Sequence, residues 1–466
     1  MNLRKYLGDR RFYRTVLAVA LPIMVQNGIT NFVSLLDNIM VGSLGTESMS
    51  GVSIVNQFVF VFYLMIFGAV SAAGIFTAQY HGLGDRNGVR HTFRFKLYIN
   101  LAVSTAGVLV FAFFGEALIG TFLHDGSTEG DLALTLSEGF SYLKIMLIGL
   151  VPYSVSQVYA STMRETEEAL MPMIASIVAV ATNFVLNVVL IFGYLGAPAM
   201  GVVGAAIATV ISRFAELAIL VIWGHTHTKK CGFLVGAYRS LRVPRALTGR
   251  IMLKGFPLMV NELFWSLSVT MRNQCYSTRG LDVVAAQNIN STIENLFSVV
   301  YLALGTAISI VVGNLLGAGK LEEAKETDRR MITFSVMSAV GISTLLVGTA
   351  WLFPLLYNTG ESVRSLATVM ILITALFTPF RAFAHASYFT LRSGGKVMVT
   401  ILFDSVYMWS IVMPITYLLA YFTSINILWL FVICQGVEAA KCMLGALLLK
   451  RSQWANQLVA DGQLKD

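Results

Sequence analysis

Residues 21–42 read LPIMVQNGITNFVSLLDNIMVG, and residues 256–277 read FPLMVNELFWSLSVTMRNQCYS. The second stretch lies a fixed distance after the first: Pro257 falls on Pro22 (257 − 22 = 235), Met259 on Met24, Val260 on Val25 and Asn273 on Asn38. The same offset carries Gly45 onto Gly280, Ile75 onto Ile310, Gly82 and Gly84 onto Gly317 and Gly319, and Arg94 onto Arg329. Shared apolar residues arise by chance. Ungapped matches at Pro and Gly, which shape the backbone, do not. The chain therefore reads as two halves built on one plan in the same orientation.

Composition says what the plan is made of. The 466 residues are 56% hydrophobic and only 12% charged, with mean hydropathy +0.71, whereas soluble domains carry roughly 25% charge. A membrane-crossing helix needs about 20 apolar residues. Apolar runs, broken by Gly, Pro and charge, predict twelve spans near 15–43, 51–80, 95–117, 134–158, 170–194, 200–224, 252–278, 284–314, 329–353, 365–390, 397–422 and 426–449. The expected fold is all-α and integral to the membrane, with twelve transmembrane helices in two pseudo-symmetric six-helix bundles. The expected organisation is an N-terminal segment 1–14, a first lobe 15–224, a basic linker 225–251, a second lobe 252–449 and a tail 450–466. The N-terminus lacks an A-x-A cleavage pattern and its apolar run is too long for a signal peptide, so it reads as a retained first helix.

The formal charge of +8 does not point to nucleic acid, because the basic residues cluster between apolar runs. Lys and Arg favour cytoplasmic loops. Arg4, Lys5, Arg10, Arg11 and Arg14 precede the first span, and Arg86, Arg90, Arg94 and Lys96 are assigned to the second-to-third loop region. Lys229, Lys230, Arg239, Arg242, Arg245, Arg250 and Lys254 fill the linker, and Lys320, Lys325, Arg329 and Arg330 the eighth-to-ninth loop. The third-to-fourth loop is acidic instead, with Glu116, Asp125, Glu129 and Asp131. Both termini and the linker are thus expected on the cytoplasmic side of the cell (inner) membrane. Cys231, Cys275, Cys434 and Cys442 have no ligand spacing, so neither a metal site nor a disulfide framework is expected.

An ionisable group at mid-bilayer is costly and so is a functional candidate. Asn27, Asn31, Ser34 and Asn38 recur at helical spacing along the first span, with Thr30 and Asp37 flanking that face. Glu262, Ser266 and Asn273 repeat the pattern in the seventh span, so matching polar stripes are expected to face the interior. At 1.5 Å per residue, Glu262 lies about 16 Å from the cytoplasmic end and Asp37 roughly 9 Å from the outer end. Arg272, the repeat partner of Asp37, either pairs with it or snorkels to the outer interface. Gln287, Ser291, Glu294 and Ser298 share a face of the eighth span, Asn183 and Asn187 stack in the fifth, and Asp404 enters the eleventh. Structural pairing competes with function at Glu294 and Asp404, interhelical hydrogen bonding at Asn183 and Asn187, and packing at His385. Residues 313–320, GNLLGAGK, have the wrong spacing for a phosphate loop and no following Ser or Thr. No Ser-His-Asp, HExxH or GxSxG pattern appears, and no enzyme is expected.

Taken together, LPIMVQN with LLDNIMVGSLG, AQYHGLGD, NFVLNVVLIFG with MGVVGAAIAT, GFPLMVNELFWS, VVAAQNI, GNLLGAGK and LRSGGK resemble the MATE family, the multidrug and toxic compound extrusion transporters, from about residue 15 to 455. The resemblance implies two six-helix lobes and export of amphiphilic, often cationic compounds, coupled to entry of protons or sodium. It places Asp37 at the family's acidic first-helix position, and Asn183 and Asn187 on the fifth-helix pair around it. Asn187 stands where some members are acidic. Glu262 lies about one turn from the acidic seventh-helix position of the sodium-coupled branch, while the predicted tenth span offers only Arg381 and His385. No cofactor is expected beyond an ion gradient, nor a resident metal beyond transient sodium at Asp37 or Glu262. The expected partners are a small amphiphilic substrate, the coupling ion and the lipid bilayer, with the chain a monomer. A lipid-intermediate flippase of the same superfamily is the alternative, expected to have a more basic cavity than these acidic-leaning intramembrane charges. A membrane-embedded enzyme is the more distant one.

Overall fold

The computed structural model describes residues 6–121, 132–240, 242–357, 359–451 and 453–459. Asp125, Glu129 and Asp131 of the acidic loop lie outside the described residues. The chain forms long helices, here α1 (Arg10–Gly42), α2 (Thr46–Leu83), α3 (Arg86–Gly120), α4 (Leu132–Glu165), α5 (Leu170–Phe192), α6 (Gly201–Thr226), α7 (Arg245–Ser277), α8 (Leu281–Gly317), α9 (Leu321–Thr349), α10 (Glu361–Ser393), α11 (Val397–Phe422) and α12 (Ile427–Lys450). Among the described residues, eleven of these are long and apolar enough to cross a membrane. α7 is the exception: at 33 residues it is long enough, but Asn261, Glu262, Arg272 and their polar neighbours dilute its apolar run. α11 contains two π-helical stretches, Leu402–Val406 and Met408–Val412.

Several helices outrun their predicted spans. α3 begins at Arg86 rather than 95, and α9 at Leu321 rather than 329. Hydropathy senses the hydrocarbon core only, whereas a capped helix continues into water. Asp85 caps α3 by accepting from the amides of Asn87 and Gly88 (2.9 and 3.0 Å). Arg94, expected in a loop, therefore belongs to a helix.

By internal contacts the chain divides into two units, residues 25–77 with 85–255 and residues 1–24 with 78–84 and 256–465. The changeovers in α1 and α7 fall beside Pro22 and Pro257, where the missing amide hydrogen interrupts the helical hydrogen-bond ladder.

In the N-terminal unit, α5 turns into α6 through Gly193, whose φ of 76° suits glycine. The linker is folded, not loose. The Arg94 guanidinium donates to the carbonyls of Ala237, Gly236 and Arg242 (2.6, 3.0 and 3.2 Å). Cys231, Phe233 and Leu234 are buried beneath it.

In the C-terminal unit, Val16, Val19 and Ala20 of α1 share a core with Ala303, Leu304 and Ala307 of α8. The ends of α2 and α8 touch backbone to backbone. A Cβ on Gly82 would strike the Asn314 carbonyl, and one on Gly317 the Gln79 carbonyl. Gln79 and Asn314 are themselves repeat partners (314 − 79 = 235), so one contact occurs twice. The tail closes over this crossing. Gln79 Nε2 donates to the Ser393 and Asn456 carbonyls (both 3.1 Å), its Oε1 accepts from the Leu458 amide (2.6 Å), and Trp454 is buried.

Candidate ion-coupling and substrate site

The i, i+4 spacing of Asn183 and Asn187 puts both amides on one face of α5, and Asp37 of α1 meets that face. Asn187 Nδ2 donates to Asp37 Oδ1 (2.7 Å). With its nitrogen toward the carboxylate, the Asn183 amide donates to Oδ2 and Oδ1 (2.9 and 3.1 Å) while its oxygen accepts from Thr209 Oγ1 of α6 (3.2 Å). Among the described residues, no basic group lies within ion-pair distance of Asp37. Neutral amides hold it.

A second polar group continues along the same unit. Arg213 of α6 lies over the rings of Tyr153 and Tyr63 (4.9 and 5.8 Å to the centroids) and 3.5 Å from Glu216 Oε2. Ser176 Oγ donates to Glu216 Oε1 (3.0 Å), Gln26 Nε2 donates to Ser176 Oγ (3.0 Å), and Arg164 Nη1 donates to Gln26 Oε1 (3.4 Å). The next residue, Glu165, pairs with buried Lys96, whose other two donors reach Ser161 and Thr162 (both 3.2 Å). Helices α1, α3, α4, α5 and α6 are thus tied by one run of polar contacts.

The C-terminal unit pairs its charges. Tyr388 Oη donates to Glu262 Oε1 (2.8 Å), and Arg392 Nη1 lies 3.6 Å from the same oxygen. Asp404, on the first π-helical stretch, pairs with Lys441 of α12 and accepts from Asn261 Nδ2 (3.1 Å). Arg272 Nη1 donates to Glu438 Oε2 (2.7 Å). Arg381 pairs with Glu294 and donates to Gln435 Oε1 (2.6 Å). His385 packs beside the Tyr301 ring (5.4 Å). Among the described residues, no three His, Cys, Asp or Glu side chains gather as a metal site.

Four expectations change. The α1 stripe is not a single buried surface: Asn31 and Ser34 are exposed and Asn27 half-buried. Gln26 enters the network instead, as does its buried repeat partner Asn261 (261 − 26 = 235), because one residue step swings a side chain about 100° around the helix. Asn273 of the matching α7 stripe is likewise exposed, accepting from Gln287 Nε2 (3.3 Å). Arg272 pairs with Glu438 rather than with Asp37 or by snorkelling alone. The intramembrane charges do not lean acidic: Asp37, Glu165, Glu216, Glu262, Glu294, Asp404 and Glu438 stand against Lys96, Arg164, Arg213, Arg272, Arg381, Arg392 and Lys441. Many of these escape a reading of single polar stripes. Glu438 and Lys441 are visible as charges inside the last apolar run, and Arg392 falls just past the predicted end of the tenth.

A family model described as MatE matches residues 22–189 and 257–418, once in each half. The chain belongs to the MATE family. Among its MATE relatives, a probable multidrug resistance protein NorM of Thermotoga maritima is 24% identical over 455 residues, covering 96% of this chain and 94% of that one. The multidrug resistance protein MdtK of Edwardsiella ictaluri is 23% identical over 385 residues, 80% of each chain. An outward-facing multidrug resistance MATE transporter of the MOP superfamily aligns with TM-score 0.84 at 18% identity, over 97% of this chain and 98% of that one. A MOP superfamily transporter from Pyrococcus furiosus, whose reverse-polarity binding pocket suggests a different function, aligns with TM-score 0.82 at 18% identity, with the same coverage. At such identity the likeness is one of fold. The protein is a multi-pass MATE membrane transporter and not an enzyme.

Proposed function

We propose that this MATE transporter exports amphiphilic compounds, cations among them, across the cell membrane in exchange for protons, by alternating access, with Asp37 loading and unloading the proton. The observation that carries this reading is the company Asp37 keeps. Glu165, Glu216, Glu262, Glu294, Asp404 and Glu438 each have a cationic side chain within 4 Å, whereas Asp37 has Asn187 and Asn183. An ionised carboxylate only accepts hydrogen bonds; a protonated one also donates. Protonation of Asp37 therefore asks a neighbouring amide to present oxygen instead of nitrogen. Asn183 can do so by reversing its ends, whereupon its Nδ2 donates to Thr209 Oγ1 on α6 (3.2 Å) and the direction of that bond is reversed. The proton is thereby read by the contact between α1, α5 and α6.

One further point supports protons over sodium. The C-terminal carboxylates already carry internal cations, Arg392 at Glu262 and Lys441 at Asp404. The charge arithmetic is also simple. One charge crossing 100 mV is worth about 2.3 kcal/mol, but a monovalent cation exchanged for one proton moves no net charge. Only the pH difference then drives the exchange. Proteoliposomes with pH, potential and sodium gradients imposed in turn test this. Export driven by the pH gradient and lost in Asp37→Asn is expected; unimpaired pH-driven export in that variant removes Asp37 from the mechanism, and drive by sodium alone overturns proton coupling.

A further inference from the structure

Among the described deep cations that contact a carboxylate, Arg213 is the most exposed. Lys96, Lys441, Arg381 and Arg272 have side-chain exposures of 0, 8, 10 and 14%, and each makes a close carboxylate contact. Arg392 is longer in reach, at 3.6 Å from Glu262, but only 3% exposed. Arg213 is 26% exposed, and its carboxylate contact is a loose 3.5 Å to one oxygen of Glu216. That carboxylate already accepts from Ser176. The buried Nε of Arg213 has no hydrogen-bond partner. The guanidinium therefore has donors to spare.

Its depth says what the exposed part faces. Arg213 is twelve residues from the start of α6 at Gly201 (213 − 201 = 12), about 18 Å along the helix and so near the middle of a hydrocarbon core about 30 Å thick. A guanidinium turned to lipid there is strongly disfavoured, and such groups face the bundle interior or a polar cavity. Tyr63 of α2 and Tyr153 of α4 lie under it, their rings 4.1 Å apart. Three helices of one unit thus present a cation and two aromatic faces together.

We propose that Arg213 is an anion subsite for the carboxylate of zwitterionic, aromatic amphiphiles, with Tyr63 and Tyr153 supporting it from below. This rests on the transporter reading but not on proton coupling. A guanidinium recognises a carboxylate through paired charge-assisted hydrogen bonds, and Glu216 holds it in place while no substrate is bound.

Rhodamine 6G, a cationic ethyl ester, and its free acid, a zwitterion at neutral pH, are matched probes. Equilibrium binding is measured by fluorescence polarisation on the detergent-purified full chain without any gradient, so a failure here is separate from a failure of proton coupling. The wild-type protein is expected to bind the free acid roughly tenfold or more tighter than the ester, and Arg213→Gln to lose that preference while still binding the ester. Arg213→Lys, which keeps the charge but not the fork, is expected to retain part of it. Glu216→Gln removes the competing carboxylate and is expected to widen the preference. The same ratio of affinities in wild-type and Arg213→Gln overturns the proposal, as does a narrowed preference in Glu216→Gln.

Discussion

Lys96→Met removes an ammonium whose three donors are all in use, to Ser161, Thr162 and Glu165. The two hydroxyls keep partners, since each also donates to the Val158 carbonyl (3.2 and 2.8 Å). The carboxylate does not fare so well. Glu165 loses its ion-pair partner in a site closed by Gly74, where even a Cβ would strike the carboxylate, so water has little room to replace the ammonium. Breaking a buried pair by removing one partner costs about 3–5 kcal/mol, whereas replacing both partners with apolar residues is often neutral or stabilising. For a unit of about 200 residues, that single loss lowers the melting temperature by on the order of 10 °C. The double variant Lys96→Met with Glu165→Met should recover most of it. Thermal unfolding in detergent, followed by tryptophan fluorescence, measures all three proteins. The reasoning fails if the single variant melts with the wild type, or if the double variant is as unstable as the single one. The first result would mean that Glu165 finds solvent or that Arg164 alone satisfies it, and the second that lost packing rather than an orphaned carboxylate carries the cost.

The crossing of α2 and α8 makes a sharp packing prediction. Gly317→Ala drives a methyl group into the Gln79 backbone and should cost at least about 1–3 kcal/mol, lowering the melting temperature by several degrees. Gly341→Ala on α9, with nothing within 4 Å of the added carbon, should be neutral; equal effects from both would refute a close crossing. Arg94→Ala strips three charge-assisted bonds from the linker, each worth about 1.5–3 kcal/mol before non-additivity. Trypsin cleavage between residues 229 and 245 should become about tenfold faster or more, and an unchanged rate on a gel time course would show that the buried apolar residues alone hold the linker down.

The fold was open to reading because its signals are additive along the chain. Twelve apolar runs, four basic segments and a constant offset of 235 between glycines and prolines each survive an error of a few residues. The site was less open. A polar stripe on one helix does not say which edge of the stripe turns inward, and a one-residue error exchanges Gln26 for Asn27. Charge partners are harder still. Lys441 and Asp404 lie 37 positions apart, Arg272 and Glu438 lie 166 apart, and nothing local links them. Asp37 with Asn183 and Asn187 could be nominated because two amides one turn apart form a local pattern. Arg213 was visible as a charge inside the predicted sixth span, but its setting was not, because Tyr63 and Tyr153 lie on other helices.

The repeat itself explains why those charges matter. Where the halves agree, at Gly82 with Gly317 and Gln79 with Asn314, the contact is made twice and serves packing. Duplication supplies shape, and a shape shared by both halves cannot tell one half from the other. The difference must come from residues that the offset fails to match. Asp37 faces Arg272 in the repeat and Asn27 faces Glu262. In the C-terminal half the charges close on each other: Arg272 on Glu438, Arg381 on Glu294, Lys441 on Asp404. A closed pair has little to gain from a proton. In the N-terminal half a carboxylate sits among amides and an arginine keeps spare donors, so each can still take a partner. Under the proposed mechanism the two halves divide the work, one as a charge-compensated frame and the other as the half that would change state with proton and substrate.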